Sequence, residues 1–225
     1  MKKINKPLLG ITLLLGVLFG NCKCKKDPDP TPSQPAVPLQ DLKAYSYFKT
    51  GTYWIYKDSA TGVEDSVYVY ADTSYSYYQN NGIQATGNYM YYVFKAHSYY
   101  DSYNYYYQIS EGNYSISTLE NGVERIRTKS GDYVGETYLM SNRFIEGDHI
   151  GLYTGTGTTY FKSKYSNLVI ESQNYNNVVK FYDSQNASEY ESPTNFYIAK
   201  NIGIVKKEIL DTVRTWALVR YQILQ

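Results

Sequence analysis

Histidine and cysteine are nearly absent: the 225 residues hold two of each. So few imidazoles and thiols leave little material for a metal cluster or a disulfide framework. Neither His97 nor His149 sits in a metal-ligand spacing such as H-E-x-x-H. An excess of charge of one sign is also missing, with 22 Lys+Arg against 21 Asp+Glu. That balance argues against a strongly basic nucleic-acid binder. Proline is scarce after residue 40, where only Pro193 occurs, so nothing interrupts a long run of strands. The uncharged apolar run Leu8–Gly20 has 13 residues, short of the ~20 that a spanning helix needs. Against these shortages stands one excess, 29 tyrosines beside seven Phe and two Trp.

The N-terminus reads as an address. Lys2, Lys3 and Lys6 precede the apolar run LLGITLLLGVLFG, which fits a secretory signal. Leu18-Phe19-Gly20-Asn21-Cys22 follows, and small residues before a cysteine resemble a bacterial lipobox, with Cys22 as the acylated first residue of the mature chain. Asn21 stands where Gly, Ala or Ser is usual; the alternative is a soluble secreted protein cleaved near Gly20. Cys24 follows Lys23 and is the poorer acceptor, and an i,i+2 disulfide between Cys22 and Cys24 is strained. Removing residues 1–21 takes three lysines with it and turns the formal charge of +1 into −2. Membrane attachment would then rest on the lipid. Residues 22–42 form the tether: five of the seven prolines fall between Pro28 and Pro38, giving an extended spacer that reaches roughly 50 Å.

Residues 43–225 read as a single all-β domain. Runs rich in β-branched and aromatic residues, bounded by Asn, Gly, Asp and Ser, recur about a dozen times. Asn81-Gly82 and Asn121-Gly122 suit two-residue hairpin turns. Short connections and the absence of a fixed repeat predict an antiparallel meander forming a curved half-barrel or barrel, with a two-sheet β-sandwich as the alternative. In Asp65–Ala71 the alternation puts Val67 and Val69 on one side and Ser66, Tyr68 and Tyr70 on the other. In Asn88–His97 it sets Met90, Tyr92, Phe94 and Ala96 opposite Tyr89, Tyr91, Val93 and Lys95. Tyr103, Tyr105, Tyr107 and Ile109 make a third row.

Two segments carry a resemblance. The domain opens with Gly51-Thr52-Tyr53-Trp54-Ile55-Tyr56 and closes with Ile202-Gly203-Ile204-Val205-Lys206-Lys207-Glu208, followed by Thr215-Trp216. This G-x-x-W-x-Y opening and I-G-x-V-x-x-E close resembles a broad group of uncharacterised Bacteroidetes-type outer-membrane or cell-surface lipoproteins. The resemblance covers roughly 50 residues at the two ends of the domain. It implies a lipid-anchored protein on the periplasmic or cell-surface side of the outer membrane, with no established enzymatic role. Trp54 and Trp216 are expected to anchor the core from the first and last strands, and Gly203 to allow a close backbone approach or a bulge.

Catalytic patterns are thin. Asp148-His149 lacks a G-x-S-x-G partner elbow, and Gly151–Gly157 lacks the Lys-Ser/Thr of a phosphate loop. Glu120, Glu124, Glu136, Glu146 and Asp148 are scattered, and Asp101–Asn104 and Asn174–Asn177 lack calcium-loop spacing. No catalytic residue, metal site or cofactor is therefore assigned. Asp58-Ser59-Ala60, Asp65-Ser66-Val67 and Asp211-Thr212-Val213 match a short Asp-Ser/Thr-aliphatic pattern that resembles O-glycosylation acceptors of exported proteins, with Ser59, Ser66 and Thr212 as acceptors. Eighteen of the 29 tyrosines lie between Tyr45 and Tyr107. A ring with a polar tip suits stacking on sugars and contacts at wet interfaces. Tyr68, Tyr70, Tyr89 and Tyr91 are accordingly candidate contacts for a glycan or another envelope protein, the bland alternative being pairs that stabilise a two-sided sheet. A carrier-like half-barrel for an apolar ligand, or an unrecognised hydrolase, are the other readings.

Overall fold

A computed structural model describes residues 39–80, 86–112, 121–141, 144–147, 149–150, 159–184 and 192–225. It begins with a helix that the sequence pattern does not announce, α1 (Leu39–Ser46). Twelve strands follow: β1 (Tyr53–Asp58), β2 (Glu64–Asn80), β3 (Thr86–Ser98), β4 (Asn104–Gly112), β5 (Asn121–Lys129), β6 (Asp132–Ser141), β7 (His149–Ile150), β8 (Thr159–Ile170), β9 (Gln173–Asp183), β10 (Thr194–Ala199), β11 (Gly203–Ile209) and β12 (Arg214–Gln222). They form one antiparallel sheet in the order β6-β5-β4-β3-β2-β1-β12-β11-β10-β9-β8-β7. The first and last strands therefore pair in its middle, from Tyr53↔Gln222 to Asp58↔Trp216, and two meandering arms run outward from that seam.

The expected barrel or curved half-barrel is corrected by this order, and so is the alternative of two packed sheets. There is a single sheet whose outer strands, β6 and β7, share no ladder among the described residues. Closure needs every strand to find partners on both sides at a fixed stagger. At one edge the β5–β6 ladder slips twice, after Val123 and after Arg127. At the other, β7 offers only His149 and Ile150 to Tyr160 and Thr159. Bulged and short edges of this kind end pairing rather than extend it.

Turn chemistry differs from expectation in one hairpin. Asn121 and Gly122 are the first residues of β5, opposite Glu111 and Ser110. The two-residue turn is instead Ser130-Gly131, both at positive φ (54° and 89°), between the paired Lys129 and Asp132. Glu171-Ser172 makes a similar turn (47° and 66°) between Ile170 and Gln173, a conformation that non-glycine residues adopt only at a cost. Asn81-Gly82 lies outside the described residues.

Alternation along β1–β5 gives that part of the sheet a filled face, whereas in β10 the successive residues Phe196, Tyr197, Ile198 and Ala199 are all buried. Trp54, Tyr56 and Asp58 point to it from β1; Asp65, Val67 and Val69 from β2; Phe94, Ala96 and Ser98 from β3; Val123, Arg125 and Arg127 from β5. The Tyr103–Ile109 row belongs to the same face, since Tyr105 and Ile109 are buried. Helix α1 covers one end. Asp41 in its first turn and Lys43 in its last suit the helix dipole. Leu42 and Tyr45 enter a cluster with Ile109, Val123, Phe181 and Phe196, which supplies the apolar burial that an eight-residue helix needs to persist. Just beyond it, Phe48 meets Trp54 edge-on at 4.9 Å and Phe94 at 5.7 Å. The Trp54 indole N–H donates to the Ile202 carbonyl at 2.6 Å, and the Tyr56 hydroxyl to that of Ile204 at 2.9 Å. Gly203, at φ 94°, leaves room for Phe48, whose ring carbon would lie 3.1 Å from an added Cβ. The opposite end of the face is polar: Asp58, Asp65, Ser98, Arg125, Arg127, Asp183 and Thr194 are all buried there.

Candidate functional site

On the other side of β1–β4, the register lines up a transverse row, Tyr53↔Tyr68, Tyr68↔His97 and His97↔Asn104. Strand β2 alternates Val67 and Val69 inward with Tyr68 and Tyr70 outward, as the pattern predicts, until a register shift between Val69 and Ala71. The β3–β4 turn then folds Tyr99 back over the row, its backbone N–H donating to the Ser66 carbonyl at 3.1 Å.

Five aromatic rings gather as a result. Tyr68 stacks on Tyr99 at 5.4 Å between centroids with 27° between planes. Tyr70 lies 6.2 Å from Tyr68, and His97 stands edge-on to both Tyr68 (5.8 Å) and Tyr99 (5.3 Å). Tyr53, opposite Tyr68 in the ladder, completes the row. Tyr99 is 65% exposed and Tyr70 43%. Such rings in water forgo the burial that an aromatic side chain ordinarily gains. The His97 Nδ1–H donates to Asn104 Oδ1 at 2.8 Å, which in the neutral ring leaves Nε2 as an acceptor. Partial desolvation, followed by the neighbouring Tyr99, pushes the Tyr68 hydroxyl above its ordinary range, so it stays a neutral donor and acceptor at physiological pH.

A second stack lies farther along the same strands. Tyr75 and Tyr91 are cross-strand partners 5.3 Å apart at 28°. Tyr91 shares its face with His97, six residues on, or about 20 Å. Lys95 lies between, its ammonium 5.9 Å from the Tyr106 ring.

Of the four tyrosines chosen from sequence, the structure brings Tyr68 and Tyr70 together and places Tyr91 in the second stack. Tyr89 pairs with Tyr77 in the β2–β3 ladder; its side chain lies outside the described set. Tyr53 and Tyr99 escaped the sequence reading. Tyr99 sits in a turn, where no periodicity assigns a face, and Tyr53 declares itself only through the ladder with Tyr68.

The modification candidates sit in three settings. Ser59 is exposed in the β1–β2 turn, while its neighbour Asp58 is buried. Burial opposes ionisation of Asp58, but the Ala60 N–H, Arg214 and Thr61 hold its carboxyl below the usual range. Ser66 is half-buried in β2, and Thr212 is exposed in the β11–β12 turn. Cys22, Cys24, Glu120, Asp148 and Gly151–Gly157 lie outside the described residues. Glu146 is exposed in a turn, and His149 is described only through its pairing with Tyr160. Among the described residues no three His, Cys, Asp or Glu side chains gather as metal ligands, and no helix is long and apolar enough to cross a membrane. Comparison of the chain with protein-family models, with curated proteins and with solved structures finds no match.

Proposed function

We propose that this chain is a lipid-anchored cell-envelope protein, held by Cys22 and a proline-rich tether, that binds a glycan on its outward tyrosine face without catalysing a reaction. The observation that carries this reading is the Tyr68–Tyr99 stack beside exposed Tyr70. A sugar presents an apolar C–H face that packs on such rings and hydroxyls that bond at their edges. His97 and the tyrosine hydroxyls supply donors and acceptors, and no carboxylate among the described residues hydrogen-bonds to His97. The outer membrane is the proposed location. Ser59, Ser66 and Thr212 remain proposed O-glycosylation acceptors.

An apolar carrier would require an apolar cavity. The recess beside Phe48, Trp54 and Phe94 has about 40 Å³, room for little more than a water, which favours the surface reading.

The test has two arms on the full-length protein. Palmitate labelling should be lost in Cys22→Ala. Affinity electrophoresis through gels containing a neutral glucan, galactan or mannan should retard the wild type. Tyr70→Ser/Tyr99→Ser should weaken that retardation about tenfold or more. Wild-type mobility unchanged in all three gels, or equal retardation of the variant, would refute the glycan reading.

A further inference from the structure

The polar end of the filled face holds a cavity of about 440 Å³, on the opposite side of the sheet from the tyrosine cluster. Its wall includes Arg125, Arg127, Lys207, Arg214, Tyr105 and Phe196, and the one carboxylate of the described wall is Asp101. A space of this size accommodates a small organic molecule.

The charges in the wall are not equally matched. Arg214 is bonded to Asp58 and donates to the Tyr100 hydroxyl at 2.9 Å. Arg127 lies within electrostatic reach of Asp183. Asp65, which does not line the cavity, is held by the Ser98 hydroxyl at 2.9 Å and the Tyr100 N–H at 3.1 Å. Arg125 is different. It is only 5% exposed, yet among the described residues no carboxylate pairs with it and its Nε has no hydrogen-bond partner. Its guanidinium lies 4.8 Å from the Phe196 ring centroid and 5.5 Å from that of Tyr105, and the Tyr107 hydroxyl is its polar neighbour. Ring faces and one neutral hydroxyl hold the group in place without neutralising it. Lys207 is half-buried over Tyr56, 5.0 Å away, and no ion pair among the described residues ties its ammonium.

Crowding of like charge shows in the titration of these groups. Burial, then repulsion from Arg125, pulls Arg127 down to about 10. Burial also lowers Lys207, partly offset by Asp65 and Asp101. An unpaired guanidinium inside a protein is costly and persists where something repays it. A bidentate oxyanion matches its fork of donors, with Lys207 as a point charge beside it.

We propose that this cavity binds a small organic oxyanion, a carboxylate or phosphate on a ring-sized apolar body, with Arg125 as its principal charge partner and Phe196 and Ile209 lining the apolar part. The inference is independent of the glycan reading, because it uses the other face of the sheet. Arg125 therefore contributes to ligand binding rather than to the packing of the empty protein.

The full-length protein in detergent is titrated with sodium benzoate, phenyl phosphate and uncharged benzamide at constant ionic strength, by calorimetry and by thermal melting. Saturable binding and a rising melting temperature are expected for benzoate, phenyl phosphate or both, and neither effect for benzamide. The anion that binds identifies the group recognised. Arg125→Met should weaken binding about thirtyfold or more, and Lys207→Gln about tenfold. In anion-free buffer Arg125→Met should melt at or above the wild type, because an unpaired buried charge has been removed. Tyr70→Ser/Tyr99→Ser should leave anion binding unchanged. The proposal is overturned if neither anion binds saturably, if benzamide binds equally well, or if Lys207→Gln and Arg125→Met bind like the wild type. It is also overturned if Arg125→Met melts well below the wild type or fails to fold, which would make Arg125 a packing residue.

Discussion

The two faces of β1–β4 use the same residue for opposite ends. On the filled face Tyr56 and Tyr105 are buried, and the Tyr56 hydroxyl reaches the Ile204 carbonyl. On the outward face Tyr68 stacks on exposed Tyr99, and exposed Tyr70 lies tilted beside Tyr68. The difference lies in what receives the hydroxyl and what covers the ring. A tyrosine can be buried once its O–H finds a fixed partner; without a covering element it becomes a contact surface. Among the described residues the tyrosines therefore fall into two populations, one buried in the packing and one presented to solvent.

Deleting residues 213–225 would break this arrangement most completely. Strand β12 sits at the centre of the sheet, pairing with both β1 and β11, and its loss should abolish the cooperative thermal transition. A folded, cooperative melt of the truncated chain would refute the central seam.

Alkaline pH should separate the two populations next. Burial, then Asp41, raises the Tyr45 hydroxyl to about 12, and burial, then Tyr221, raises Tyr175 to about 12. Tyr56, Tyr105, Tyr107 and Tyr197 are raised as well, in each case chiefly by burial. An unfolded tyrosine ionises near 10. The stabilisation from these groups is therefore complete below about 10 and is lost as pH climbs from there through about 12. Tyrosinate absorbance and circular dichroism followed together should show the buried set ionising in step with unfolding. Full ionisation of that set with native dichroism would contradict the packing.

Single substitutions give a smaller and more local contrast. Phe94→Ala removes the ring stacked on Tyr107 at 4.4 Å and met by Phe48, and should cost about 3–5 kcal/mol in denaturant unfolding. Tyr99→Ser, on the outward face, should stay within about 0.5 kcal/mol. Comparable losses from both would erase the distinction.

Part of this was legible in the residues. Alternation in Asp65–Ala71 separated Val67 and Val69 from Tyr68 and Tyr70, and β3 obeyed its pattern, because its register with β4 contains no bulge. Trp54 and Trp216 are buried on the two seam strands. The strand order was not legible: nothing local in Tyr53–Asp58 specifies a partner some 160 residues away. Helix α1 was missed because eight residues of mixed polarity after a proline run carry little periodicity, and Leu42 and Tyr45 gain their meaning only from the sheet beneath. The open edges were hidden for a similar reason, since the slips along β5–β6 arise from twist and packing. The tyrosine cluster was half visible, lacking Tyr53 and Tyr99. Strand β5 carried the clearest unread signal: Val123, Arg125 and Arg127 alternate, which sets two arginines on the face of a core valine.

Peptide-resolved nitration of the native protein tests the division of the tyrosines most directly. Tyr53, Tyr70, Tyr75, Tyr99, Tyr100 and Tyr221, the exposed tyrosines among the described residues, should be modified while Tyr56, Tyr105 and Tyr175 remain unmodified until the protein unfolds. Equal modification of both groups in the folded protein would contradict the account.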